Sequence, residues 1–262
     1  MALTAYLLRR QIKPVLIWGA SIGLMALWVV LYYPSIAKTD FFQQYLEAIP
    51  EQMRAFLNVL GGDVSTIQGF LGIELFSLVL PVSIPFYAVV LGSRAIAGAE
   101  QQGRLEILLS APVRRSEIVV ATVVEMLAGI AAILVLIGLF TWIPAKAVGT
   151  DLTIGQTASG LVALLPFSFF FGALALLISS AARRSGISTS IVGGALVAMY
   201  FINGFAGFVE SMRPLQKASL FYHYRSALVG GVNWHAWFVI LVISFVLALG
   251  AIPVFNRRDI YG

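Results

Sequence analysis

Apolar residues in this chain gather into six long runs, at roughly 15–33, 70–92, 118–143, 157–181, 187–209 and 236–255. About 20 residues of helix match the thickness of bilayer hydrocarbon. Each run therefore predicts a spanning helix, and together they predict an all-α polytopic membrane protein with one transmembrane domain over residues 1–262. The stretch 98–116, GAEQQGRLEILLSAPVRRS, is the polar-rich segment on which the rest is organised. Glu100 and Arg104 stand four apart, the favourable order for a helical ion pair. Leu105, Leu108 and Leu109 form one apolar stripe opposite Gln102 and Glu106. Ala111-Pro112 breaks the helix, and Ser116 with Glu117 behind it can cap the next one. The expectation is a short amphipathic helix over 98–110, lying at a membrane surface and tied at both ends to spans.

The other connections between the runs include two long ones and one very short one. Residues 34–69 carry Phe42, Leu46, Ile49, Met53, Phe56, Leu57 and Leu60 at helical spacing, with Asp40, Glu47 and Glu51 between them. That pattern predicts one or two amphipathic helices on the outer surface. Residues 210–235 alternate Leu215, Leu220, Phe221, Tyr222, Tyr224 and Leu228 with Arg213, Lys217 and Arg225. They predict a pair of short helices re-entering the outer leaflet and turning near Gly230-Gly231. The connection 182–186 is so short that spans 4 and 5 must form an antiparallel hairpin. Within the runs, Pro14 fits a first helical turn, and Pro81 and Pro85 predict a kink in span 2. Gly193, Gly194, Gly204 and Gly207 allow close packing of span 5.

Composition agrees with the pattern. The chain is 60% hydrophobic and 11% charged, against about a quarter charged in a soluble domain. Its net charge of +5 does not point to nucleic acid, because the basic residues sit as doublets beside the apolar runs. Of 17 Lys and Arg, 11 fall in the N-terminal stretch, the 2–3 loop, the 4–5 loop and the tail, and six on the other side. The positive-inside rule then places both termini in the cytoplasm. The run 15–33 exceeds the about 7–15 residues of a signal-peptide core, so it reads as a retained span. A short tail, 256–262, ends the chain with no soluble domain expected after it.

Candidate chemistry is sparse. The absence of cysteine removes disulfides, thiolate metal sites and thiol nucleophiles. His223 and His235 lack metal-ligand spacing and sit beside aromatics, where interfacial hydrogen bonding explains them. No Gly-Lys pair exists, so no Walker A loop can form and any ATP hydrolysis belongs to another polypeptide. Glu125, about two turns inside span 3, is the main buried acid. It can serve a substrate or proton path, or it can pair with an arginine or hydrogen-bond across helices near the boundary, the reading favoured here. Glu74 lies nearer an interface, and Pro81 and Pro85 mark either a gate or only a kink. The chain is read as a non-enzyme that holds no cofactor or metal.

The motif EQQGRLEILLSAPVRRSEI, from Glu100 to Ile118, resembles the acidic-Gly-(Thr/Arg)-Leu-Glu-x-Leu-Leu-(Ser/Ala)-x-Pro pattern of ABC-2 type transporter permeases. The tail FNRRDI from Phe255 is similar to that family's ending. The resemblance implies the membrane subunit of an ABC exporter in a plasma (inner) membrane. It implies a second permease subunit, identical or related, and a separate cassette ATPase that binds ATP and Mg. By this resemblance 98–110 is the coupling helix, carrying Glu100, Arg104, Leu105, Glu106, Leu108 and Leu109. Arg183 and Arg184 make a second ATPase contact, and 5–13 is an interfacial helix. The path lies among spans 1, 2 and 5, and its apolar lining suits a drug, lipid or peptide. Two alternatives use the same residues. One is a proton-coupled transporter working through Glu74 and Glu125; the other is a non-exporting regulatory partner of an ATPase. A membrane-embedded enzyme would need a convergent catalytic set that the spans lack.

Overall fold

The computed structural model describes residues 2–37, 66–110, 113–206, 211, 213–224 and 227–258, and among these there is no strand. Helix α1 (Ala2–Arg10) leads into α2 (Ile12–Ala37). They part at Gln11, since Pro14 has no N–H for the Arg10 carbonyl and its ring crowds that oxygen. The second run is built from α3 (Ile67–Leu71), a π-helical stretch (Gly72–Val79) and α4 (Leu80–Ala95). Then come α5 (Ala97–Gln101), α6 (Arg104–Ser110), α7 (Arg115–Ala147), α8 (Ile154–Ala181) and α9 (Ser185–Phe205). Three short helices, α10 (Arg213–Gln216), α11 (Leu220–Tyr224) and α12 (Ala227–Gly230), precede α13 (Trp234–Asn256). Six helical segments, each overlapping one apolar run, are long and apolar enough to cross a membrane. The amphipathic helices expected over 34–69 fall mostly outside the described residues.

Helix starts differ from expectation for local reasons. Helix α8 begins at Ile154 because Thr153 caps it: its Oγ1 accepts from the Gln156 N–H at 3.2 Å, and the Gln156 side chain accepts from the Thr153 N–H at 3.0 Å. Ser116 does not cap α7. The helix starts two residues earlier, at Arg115, with Arg114 extended at the cap position and making no side-chain cap bond. Arg115 is held instead by the end of α13, as described below.

Helix α8 is apolar on every side and mostly buried, with Ile154 and Val162 left exposed near its start. It packs against α4, α13, α7, α9 and α12, with Phe167, Phe169 and Phe171 almost wholly enclosed. The α4 crossing is the tightest. A Cβ on Gly92 would collide with the Gly172 carbonyl and stand 3.0 Å from the Leu176 nitrogen. Only a residue without a side chain lets the two backbones approach so closely.

The prolines of the second run act through a widened helix. Pro81 and Pro85 donate no backbone bond, and immediately before them the ladder shifts register, so that the Leu80 N–H bonds the Leu75 carbonyl. Ser77 Oγ donates to the Gly72 carbonyl at 2.6 Å, which supports the wider turn. The re-entrant expectation for 210–235 meets a fold of three short helices instead of two. Phe221 of α11 stacks edge-on against Phe167, with ring centroids 4.9 Å apart. Phe167 lies about 20 Å along α8 from its start, so the segment reaches well into the bundle. It leaves through Gly231, whose φ of +74° suits glycine.

Gly92→Ala is expected to lower the thermal stability of the purified protein by the equivalent of about 1–3 kcal/mol, the usual consequence of overpacking. Gly250→Ala, where the nearest atom to the new Cβ is 3.8 Å away, should leave it unchanged. A thermal-unfolding series in detergent distinguishes them, and equal melting for all three proteins would contradict the crossing described here.

Candidate functional site

One end of the bundle collects the arginines. It holds α1, α5, α6, the end of α4, the starts of α7 and α9, and the end of α13. The single helix expected over 98–110 is two helices. Gly103, at φ +66°, breaks it, a conformation that costs glycine little. Because the break lies between Glu100 and Arg104, their expected i, i+4 pair does not form.

Glu100 turns inward and pairs with Arg258 at the other end of the sequence. Arg258 also donates to the carbonyls of Ser179 and Ser180, at 3.3 and 3.4 Å. The Ala97 N–H donates to Ser179 Oγ at 3.0 Å, and that hydroxyl donates to the Ser93 carbonyl at 2.9 Å. On the other side Gln101 Oε1 accepts from the Ser185 N–H and hydroxyl at 3.0 and 2.8 Å. Helix α5 is thus fastened to α8, α9 and the tail, and through Ser179 to α4. Arg115 completes the junction by donating to the carbonyls of Phe255, Asn256 and Arg258, at 2.6, 3.2 and 2.8 Å. A cation at a helix C-terminus satisfies oxygens that have no partner within the helix.

Helix α6 is fastened less and exposed more. Leu105 is fully buried and Leu108 partly so, while Glu106 faces solvent and Ile107 is 71% exposed. The side chain of Leu109 lies outside the described residues. Arg183 and Arg184, between α8 and α9, are exposed at the same end.

Arg104 points away from this face. It lines a cavity of about 190 Å³ shared with Arg10, Gln11, Tyr87, Arg94 and Glu125, with Trp18, Leu91 and Leu108 among its apolar walls. Its Nε is buried without a hydrogen-bond partner among the described residues. Burial, and after it the nearby Arg10 cation, lowers the Arg104 pKa from its usual value. Glu125 is 9% exposed. Among the described residues Glu125 makes neither the arginine ion pair nor the cross-helix hydrogen bond expected from the sequence, although the Arg10 cation is near enough to act on it. Beside it, Tyr87 OH donates to Gln11 Oε1 at 3.1 Å.

The remaining candidates lie elsewhere. Glu74 is exposed within the π-helical stretch. It precedes Tyr87 on the same run by about 20 Å of helix, so Glu74 and Glu125 do not share a site. Pro81 and Pro85 are buried at the start of α4. Sequence reasoning missed Arg258 and Arg115 as partners, having read their doublets as topology anchors, and missed Ile107 as an exposed apolar residue. The only local signal for Ile107 was its position off the Leu105–Leu108 stripe.

A family model described as the C-terminal domain of the multidrug efflux system permease Rv1217c matches residues 3–256. No curated protein matches the chain. The match covers nearly the whole sequence, so the chain belongs to this permease family, in agreement with an ABC-2 type exporter permease and a multi-pass membrane protein.

Arg258→Ala should strand Glu100 at a partly buried position. Losing a charge-assisted bond of this kind typically costs about 1.5–3 kcal/mol. Hydrogen exchange followed by mass spectrometry is then expected to show faster exchange over 97–101 than in the parent, with the centre of α8 unchanged. Unaltered exchange over 97–101 would mean that the junction does not hold α5.

Proposed function

From membership in that permease family, we propose that the chain is the membrane subunit of an exporter whose energy comes from a separate ATP-binding cassette ATPase. That partner binds ATP and Mg. Both termini and the arginine-rich end are cytoplasmic, following the Lys and Arg distribution, and the membrane is the plasma (inner) membrane. The observation that carries this reading is α6. A short helix outside the spans buries Leu105 completely yet presents Ile107, 71% exposed, beside Glu106. An apolar residue ringed by polar ones on a surface element is what a protein partner uses as an anchor. Arg183 and Arg184 offer a second, charged contact on the same face.

Transmission follows from how the helices are fastened. A partner moving α6 acts through Gly103 on α5, and α5 is bonded to α8, α9 and the tail, with Ser179 of α8 bonded in turn to α4. Motion at the surface therefore reaches the second run, where the π-helical stretch and two prolines offer the least regular backbone in the bundle. Two permease chains pair in the membrane and the path lies among spans 1, 2 and 5. Support comes from the exposed apolar residues Phe86, Ile191 and Phe201 on α4 and α9. Such a lining suits a hydrophobic or amphipathic cargo, as the multidrug efflux description of the family does. The separation of Glu74 from Glu125 favours this reading over a proton relay through the two acids.

Glu106→Arg combined with Ile107→Arg is expected to weaken association with the cassette ATPase by at least about tenfold, as loss of a central anchor does. Co-purification of the tagged permease with its ATPase, followed by ATP hydrolysis, reads this directly. Undiminished association and turnover would place the docking surface somewhere other than α6.

A further inference from the structure

The cavity between α1, α4, α6 and α7 is not used by the coupling scheme, and its charges are arranged in an unusual way. Arg10, Arg94 and Arg104 all line it, and so does Glu125, yet Glu125 pairs with none of them. Opposite charges that share a partly enclosed space normally close on each other, because a buried carboxylate without a partner is costly. Here about 190 Å³ lies within the lining, room for several water molecules at about 30 Å³ each, or for one small charged group. Arg104, which lines the same cavity, has its Nε buried without an acceptor among the described residues.

The location narrows the occupant. Gln11 ends the N-terminal surface helix, Tyr87 lies two turns from the end of α4, and Glu125 lies about 15 Å along α7 from Arg115. That is the level at which a bilayer changes from head groups to acyl chains. Trp18 and Leu91 give the cavity an apolar side.

We propose that this cavity binds the head group of an amine-bearing phospholipid, of the phosphatidylethanolamine class, from the leaflet at the arginine-rich end. Its phosphate is held by Arg10, Arg94 and Arg104, its ammonium by Glu125, and its acyl chains run past Trp18 and Leu91. The chemistry discriminates among lipids. A primary ammonium brings three N–H donors to a carboxylate that has none. A choline head group brings a cation without donors, and a glycerol head group brings no cation. The three arginines serve the phosphate common to all of them. The bound lipid joins α1 and α6 to α4 and α7, so it steadies the surface helices whether or not an ATPase docks on them.

The test uses the full-length chain in detergent, without any ATPase, so that its outcome is separate from that of the docking reading. Binding of phosphatidylethanolamine, phosphatidylcholine and phosphatidylglycerol with matched dioleoyl chains is measured by native mass spectrometry and by thermal stabilisation. Soluble phosphoethanolamine serves as the competitor. The parent should prefer phosphatidylethanolamine by about tenfold or more, the scale of one charge-assisted hydrogen bond. Glu125→Gln, which keeps the shape of the side chain, should reduce that preference to within about twofold while phosphatidylglycerol still binds. Arg94→Gln, at an exposed position that does not endanger folding, should weaken all three lipids together. Equal binding of the three by the parent, or a preference that survives Glu125→Gln, overturns the ammonium assignment. Lipid binding indifferent to Arg94→Gln overturns the phosphate assignment. Competition by phosphoethanolamine at the same concentration as the lipid would make this a site for a soluble head group and not for a membrane lipid.

Discussion

Hydrocarbon offers a polypeptide no hydrogen bonds, and the rest of this structure depends on that constraint. Every backbone amide and carbonyl within the membrane must be satisfied by the protein itself, which is why each apolar run is helical. It also explains the departures from regular helix. Where Pro81 and Pro85 remove donors, the ladder shifts to a wider register and Ser77 supplies a bond to Gly72. Where α4 meets α8, Gly92 lets the backbones touch and the serines 93, 179 and 188 bond to carbonyls or to one another.

At the arginine-rich end the same accounting is done by cations. The last carbonyls of α13 have no partners within the helix, and Arg115 from the start of α7 takes two of them, those of Phe255 and Asn256, with the Arg258 carbonyl just beyond. The last carbonyls of α8 are partly met by one terminal nitrogen of Arg258, whose other terminal nitrogen holds Glu100. Residues that look in sequence like simple topology anchors are therefore structural bolts. They fasten α5 and leave α6 as the part of the surface that is both outside the spans and attached to them. A mobile partner needs such an element if it is to act on a bundle that is otherwise tightly packed.

The cavity beside this junction follows a different logic. Its arginines and Glu125 come from separate helices whose packing is fixed by contacts elsewhere, such as the approach of α7 at Gly129. There a side chain would collide with the Tyr87 hydroxyl and stand 2.7 Å from Gln11 Oε1. The helices meet, but the charges they carry do not, and the space that remains is lined by both signs. Polar groups left open in this way at a membrane surface call for a ligand with two charges and an apolar tail.

The six apolar helices and the family motif were legible along the chain. Each depends on properties of a contiguous segment: run length, hydropathy, helical spacing, and residues at fixed offsets. The burial of Leu105 and the exposure of Glu106 were legible for the same reason. The partner of Glu100 was not. Helical spacing offered Arg104, but Gly103 takes a left-handed backbone that cuts the helix, and the true partner stands 158 residues away. The gathering of Arg10, Arg94, Arg104 and Glu125 about one cavity was equally hidden. Hydropathy says that a segment enters the membrane and not which segment lies beside it. That choice is made by shape, through glycines such as Gly92 and by the enclosure of α8, and it is the choice that turns four separated charges into a site.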